Sequence, residues 1–514
     1  LFSLPLQFFR KFEKAIEITK FLLKDFTIMK KLTRRKVLKD LCIGSAGLLL
    51  APSCLAENQK DSKKQVQIGK ERAKTDYKTV IKNGKAYINQ KLVEGYWVGI
   101  DFNGKLKISK EPLQAEQEID ATGKIVSPGF IDILADNASS PEQTYTIFEK
   151  YKVTDGLTSV FQMHGGAEFP KKFHDYFDKL PHRVNYGVSV FVMRLRLKYA
   201  SLAQRYQMAE QGLNEGALAM AHSPEYQPDT SYEELKKYAE IAKKYERPYF
   251  LHLRYSSKEK ELEGVKEAIR IAQETGCQIH IDHLNSTGGT FNMPKALELI
   301  NDANAKGTKI TCCVYPYSFW ATYLISERFS GDWQKRYGIT YEDLQIVGSG
   351  ERITAQTFPI YRKRPGLLVA VPEGTMPFEK TINLALQTDF CMFGSDGGIE
   401  KEPRANSHPR GAGFAATAIR HCLNIGMSIE QALERLIDRP AKLIQPAMKD
   451  RAKLQDDFWA DITIFDPERI RGKATVANPN QFSEGIEYVI VNGEIAYQNG
   501  KLLKTSGKGI KYQG

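Results

Sequence analysis

No uncharged apolar run in the 514 residues approaches the roughly 18 that a membrane-spanning helix needs, which excludes a polytopic membrane protein. The chain also lacks any Cys-x-x-Cys pair. Of its seven cysteines, Cys42 and Cys54 lie near the start, and Cys277, Cys312, Cys313, Cys391 and Cys422 follow. An odd number beyond residue 54 argues against a disulfide framework. Low-complexity and collagen-like stretches are missing as well. With 42% hydrophobic and 26% charged residues, the composition is that of a globular chain long enough to bury a large core. Nor is there a basic stripe with interleaved aromatics. The formal charge is +12, but +7 of it sits in residues 1–54, so no nucleic-acid partner is expected.

What is present begins with an address. The first methionine is Met29, and residues 1–28 read as an upstream extension outside the native protein. From Met29 a basic stretch (Lys30, Lys31, Arg34, Arg35, Lys36) precedes an apolar run from Leu41 to Ala51. Thr33-Arg-Arg-Lys-Val-Leu-Lys39 resembles a twin-arginine export signal, and Pro52-Ser-Cys54 resembles a lipoprotein cleavage site. Residues 29–54 are therefore expected to be a signal, with a lipid anchor on Cys54. The protein would be exported, periplasmic or membrane-anchored in a bacterium. A buried N-terminal helix is the alternative. Residues 55–76, rich in Lys, Glu, Asp and Gln, read as a solvated linker.

Short strands with turn punctuation occupy residues 77–128. Asn83-Gly84 and Asn103-Gly104 carry the strongest two-residue hairpin signal, and Asn492-Gly493 repeats it near the other end. Two all-β flanks, 77–128 and 441–514, predict one small sandwich built from both. Between them, residues 129–440 alternate apolar strands with helical periods. Eight strands are expected to end near Asp136, His164, Val190, His222, Arg254, Leu284, Tyr315 and Asp396. Eight β-then-α repeats predict a parallel (β/α)8 TIM-type barrel, with a doubly wound open sheet as the alternative. Residues 320–388, long, aromatic and charged, read as an inserted lid or subdomain.

In such a barrel the chemistry gathers where strands end. Four of the nine histidines fall there: His164, His222, His252 and His283. Asp136 and Asp396 end the first and last strands. Neutral imidazoles with a carboxylate on converging strands form the donor set of a divalent metal such as zinc. His280 shares strand parity with Asp282, opposite to His283, and is expected to point away from the barrel axis.

Ordered motifs from about residue 77 to 499 resemble the amidohydrolase superfamily, in its N-acyl-D-amino-acid deacylase (D-aminoacylase) branch. They are Val126-Ser-Pro-Gly-Phe-Ile-Asp132, Gly216-Ala-Leu-Ala-Met220 with Pro224-Glu-Tyr-Gln-Pro228, His252-Leu-Arg254 and Tyr315-Pro-Tyr317. Gly394-Ser-Asp-Gly397, His408-Pro-Arg410, Trp459-Ala-Asp461 and Phe482-Ser-Glu-Gly-Ile-Glu-Tyr488 complete the series. The resemblance implies hydrolysis of the amide bond of N-acyl amino acids, or of related amides, by metal-activated water. His252 and His283 match metal ligands and Asp396 matches the catalytic aspartate. Arg410 and a tyrosine of the Tyr315/Tyr317 pair match groups that hold a substrate carboxylate, and Arg254 is counted with them.

The departures are as informative. Where the family has His-x-His on strand one, this chain has Leu134-Ala135-Asp136, and leucine binds no metal. Gly165 stands at the family's cysteine ligand, with His164 one residue earlier. Asn285 replaces a lysine and Ser256 a glutamate. Three readings follow. One divalent metal, zinc by preference, is held by His252 and His283 with His164, His222 or Asp396 completing the shell. Alternatively the barrel binds a small carboxylate without metal, or the site performs elimination or acid/base chemistry.

Overall fold

The computed structural model describes residues 75–135, 148–398 and 408–512. The expected export signal, Cys54, the linker up to residue 74 and Asp136 lie outside them. Among the described residues no helix is long and apolar enough to cross a membrane.

Eight parallel strands form the central sheet: β1 (Phe130–Asp132), β2 (Leu157–Ala167), β3 (Asn185–Phe191), β4 (Met220–His222), β5 (Tyr249–Leu251), β6 (Ile279–Ile281), β7 (Ile310–Val314) and β8 (Cys391–Phe393). They pair in sequence order. Their apolar runs are buried on both faces, as strands covered by an outer layer of helices must be. The Tyr232–Lys244 helix shows the local logic. Ser231 caps it by accepting from the Glu234 amide, glutamates fill its first turn and lysines its last.

The seam between β1 and β8 is closed by side chains as well as backbone. The Asp396 amide donates to the Leu134 carbonyl at 2.7 Å, and the Ser395 amide to Asp132 Oδ1 at 3.0 Å. Lys152, fully buried, places Nζ 2.8 Å from Asp132 Oδ2 and 3.3 Å from both Ser395 Oγ and the Gly397 carbonyl. A buried ammonium is tolerated because a carboxylate and two further acceptors surround it.

Both flanks of the chain build the small β domain. In its seven-stranded sheet, Ile462–Phe465 pairs antiparallel with Ile125–Pro128, so the late chain is stitched directly to the early chain. Val98, Ile100, Ile119, Val126, Ile464 and Ile490 fill the core between its sheets. The Asn492-Gly493 turn joins Ile486–Val491 to Glu494–Gln498 as a hairpin. A Cβ on Gly493 would collide with Gly104 of the facing turn, so glycine is required there. Asn83-Gly84 behaves differently from its hairpin reading. Tyr77–Lys82 and Lys85–Ile88 belong to two different sheets, and the turn carries the chain between them. The positive φ of Asn83 serves a sharp reversal whether or not the flanking strands pair.

The segment after β7 forms a separate small antiparallel sheet, Ala321–Tyr323, Leu368–Ala370 and Gln345–Ile346. Its own aromatic core includes Trp320, Phe329, Trp333, Tyr337 and Phe358.

Candidate active site

The functional side chains sit at or just beyond the carboxyl ends of the strands. His164 lies within β2, while His252 follows β5, His283 follows β6 and Asp396 follows β8. His283 and Asp396 both adopt positive φ, 26° and 47°, which non-glycine residues hold only when their surroundings enforce it. The Asp396 bond to Leu134 and a bond from the His283 amide to Cys313 Sγ at 3.2 Å do so here.

Three imidazoles converge. One ring nitrogen from each of His164, His252 and His283 lies within 4.8 Å of the other two, and His252 Nδ1 faces His283 Nε2 at 3.0 Å. The opposite nitrogen of every ring is anchored. His164 Nδ1 meets Asp282 Oδ2 at 3.2 Å, His252 Nε2 meets Glu225 Oε2 at 2.7 Å, and His283 Nδ1 meets Ser286 Oγ at 2.9 Å. With the outer nitrogen donating, the inner lone pairs point at one another. Such an arrangement suits a cation between them and is uncomfortable without one. Burial lowers His252 to about 4 and His283 well below its ordinary range, so both rings are neutral, as ligands must be. The donor set therefore fits one divalent ion.

Glu225, in the loop after β4, was not singled out among the sequence candidates. It holds His252, and Arg328 from the inserted segment reaches it through Nε (3.2 Å) and Nη2 (3.0 Å). Ser256 donates its hydroxyl to Glu225. Burial opposes ionisation of Glu225, but Arg328, His252 and Ser256 outweigh it and hold the carboxyl down to about 2. Asp282 goes the other way: burial pushes it up to about 6 against the pull of His164.

Asp396 faces the same cluster, with Oδ1 3.9 Å from His164 Nε2 and Oδ2 3.9 Å from His283 Nε2. Burial works against its ionisation, yet His283, Arg410 and His164 more than offset this and keep it well below the usual carboxylate range. Arg410, 1% exposed, gives Nη2 to Asp396 Oδ2 at 2.7 Å and to His408 Nε2 at 3.0 Å. Its guanidinium lies 3.7 Å from the Tyr315 ring centroid, and its Nε and Nη1 are buried with no hydrogen-bond partner among the described residues. Together these groups line a cavity of 380 Å³ roofed by Trp320, Tyr323 and Ile325 of the inserted segment.

Not every sequence candidate arrives there. His222 ends β4, but its ring packs edge-on against Tyr238 of the Tyr232–Lys244 helix, 6.2 Å away, and its Nε2 lies 3.4 Å from Thr230 Oγ1. It faces the helical layer and stays outside the three-histidine group. Arg254 spends its guanidinium on Glu267 (3.0 and 3.1 Å) and the Pro228 carbonyl, away from the cavity wall. Of the two tyrosines, Tyr315 lines the cavity and Tyr317 stands behind it, 6.4 Å between ring centroids. His280 is buried against Phe250 with Nδ1 2.8 Å from Thr311 Oγ1. Leu134 and Ala135 are wholly buried and apolar, so the two described residues of the strand-one register carry no metal donor.

The chain is thus a (β/α)8 barrel with imidazoles meeting at its C-terminal mouth and a β domain made from both flanks. No protein-family model matches the chain. Among sequence relatives, the N-acyl-D-glutamate deacylase of Alcaligenes xylosoxydans xylosoxydans is 26% identical over 435 residues, covering 74% of this chain and 85% of that protein. Among solved structures, the N-acyl-D-glutamate deacylase from Bordetella bronchiseptica, complexed with zinc and a phosphonate inhibitor, aligns at a TM-score of 0.73 and 23% identity. It covers 85% of this chain and 100% of its own. A D-aminoacylase studied for its binuclear metal centre aligns at 0.72 and 19% identity over the same shares. The resemblance read from the motifs, to the D-aminoacylase branch of the amidohydrolase superfamily, is borne out.

Proposed function

We propose that the protein is a metal-dependent amidohydrolase that cleaves the amide bond of N-acyl D-amino acids or related amides, and that it works with a single divalent ion, zinc by preference. The observation that carries this reading is the convergence of three anchored imidazoles beside Asp396 and Arg410. His164, His252 and His283 would hold the ion, which when bound supplies charge that polarises the amide carbonyl and acidifies water. His164 would take the place of the ligands that the resemblance puts on strands one and two.

The residues do the rest. Arg410 Nε and Nη1, buried without a hydrogen-bond partner among the described residues, are the donors that a substrate carboxylate beside Asp396 would satisfy. Asp396 Oδ2 is committed to Arg410, which leaves Oδ1 to take a proton from the attacking water. The same oxygen then passes that proton to the leaving amine nitrogen as the C–N bond breaks. Tyr315, stacked under Arg410, fixes the plane of the guanidinium. The roof of aromatic residues limits access of bulk water.

The test is release of free amino acid from N-acetyl D-amino acids by the metal-loaded protein, with the L-enantiomers alongside. Turnover of the D series that disappears on chelation and returns with metal supports the reading. Undiminished turnover after chelation contradicts it. We also propose export and attachment to a membrane through Cys54, on the strength of the twin-arginine and cleavage-site patterns. Cys54→Ala is expected to move the protein from the membrane to the soluble fraction, and unchanged fractionation would refute the anchor.

A further inference from the structure

Two of the three ring anchors are tied to the inserted segment, and one residue makes both ties. Arg328 gives Nε (3.2 Å) and Nη2 (3.0 Å) to Glu225 Oε2, the oxygen that also holds His252 Nε2. The same Nη2 lies 3.2 Å from the carbonyl of Ser286, whose hydroxyl holds His283 Nδ1. A second path runs from the insertion to the same carboxylate. Tyr337 Oη lies 3.3 Å from Ser256 Oγ, and Ser256 donates to Glu225. His164 is anchored differently, by Asp282, which directly follows β6 and belongs to the barrel itself.

Arg328 reaches these acceptors from a turn that the insertion's own residues build. It sits in the short 3-10 turn Glu327–Phe329, where Ser326 Oγ accepts its amide at 3.2 Å. Arg336 Nη1 lies 3.4 Å from its carbonyl, and Arg362 bonds the carbonyl of Phe329. The Trp320 ring flanks the guanidinium, 5.1 Å from its central carbon. The side chain is 5% exposed, so water offers little replacement for a lost bond. A carboxylate orients an imidazole well only when its remaining lone pairs are fixed in turn.

We infer that Arg328 is a positioning residue for the metal site, so that the insertion sets the affinity for the ion through the anchors of His252 and His283. By linkage, an ion on those rings stabilises the insertion over the mouth to the same extent. This deepens the single-ion reading and rests on it. The role needs a planar fork, because three N–H groups are shared between a carboxylate and a carbonyl.

Cobalt(II) titrated into metal-free protein, without substrate, reads the affinity directly and the ligand geometry through its visible absorption. Arg328→Met is expected to raise Kd about 10–100-fold and to alter the spectrum. Arg328→Lys should lie between, about threefold or more weaker than wild type, since one nitrogen replaces the fork. Glu225→Gln should weaken binding as well. With Arg328 acting through Glu225, the Arg328→Met/Glu225→Gln double variant stays within about threefold of the weaker single variant. A merely structural role would multiply the two losses. Multiplied losses, or wild-type affinity and spectrum in Arg328→Met, overturn the inference. Should Arg328→Met fail to fold, Arg328→Lys decides, and wild-type affinity there overturns it. Cobalt binding that is indifferent to Arg328 removes this inference alone, whereas no binding by the wild type removes the metal reading together with it.

Discussion

Each clustered imidazole turns one nitrogen inward because its other nitrogen already has a partner: Asp282, Glu225 or Ser286. On the proposed reading the orientation of the three rings is thus set before an ion would bind, and Asp396 is ionised before a substrate would. Asp396→Asn should keep bound metal, because the three rings and their anchors are untouched, while kcat falls by about 10³-fold or more through loss of the proton carrier. Metal content and kcat measured on one sample check this; retained kcat would remove Asp396 from the chemistry. At this scale the sequence was informative where strand position and residue type agree. His252, His283 and Asp396 were legible because strand ends of a barrel converge. His222 and Arg254 satisfy the same rule and still face away, since the rule locates a residue along a strand without saying which side its side chain takes. Glu225 lay inside a recognised motif, three residues past His222, but nothing local marks a loop carboxylate as the partner of a histidine on the next strand. Arg328 and Lys152 had no signal, because their contacts cross 103 and 20 residues of chain.

Among elements, the β1–β8 seam matters most, because it carries both Asp396 and the apolar Leu134-Ala135 register beside it. Lys152, Asp132 and Ser395 lock that seam from within, and Lys152 bonds the residue on each side of Asp396. Lys152→Met leaves the Asp132 carboxylate buried without its cation, which should cost about 3–5 kcal/mol. A denaturant midpoint within error of wild type would refute a structural role for the lock. His280 on β6 gives the barrel a defined response to acid. Burial lowers it from an ordinary 6.5 to about 3, so the unfolded chain binds its proton first. Its contribution to stability is complete above pH 6.5 and is lost as pH falls toward 3, at up to about 1.4 kcal/mol per pH unit. His280→Leu should flatten the acid limb of a stability-against-pH curve; an unaltered limb would show that other groups control it. Hairpin chemistry was readable at Asn492-Gly493 and misleading at Asn83-Gly84, because a tight turn dictates reversal of the chain and not the partner of the strand that follows.

For the molecule as a whole, the barrel supplies convergence, the two-flank β domain ties the early chain to the late chain, and the aromatic insertion roofs the mouth. Eight repeats and paired β flanks made that plan visible from the sequence, whereas the path of the insertion over the cavity depended on its own aromatic core. On the proposed reading the mouth, with Leu134-Ala135-Asp136 in the strand-one register, would take its third ligand from His164 of strand two. The most direct measurement is elemental analysis of purified wild-type protein and His164→Ala after dialysis against metal-free buffer. One divalent ion per chain in the wild type, and none in His164→Ala, is the expected result. Two ions per wild-type chain, none at all, or full occupancy in His164→Ala would contradict a single site built on His164, His252 and His283.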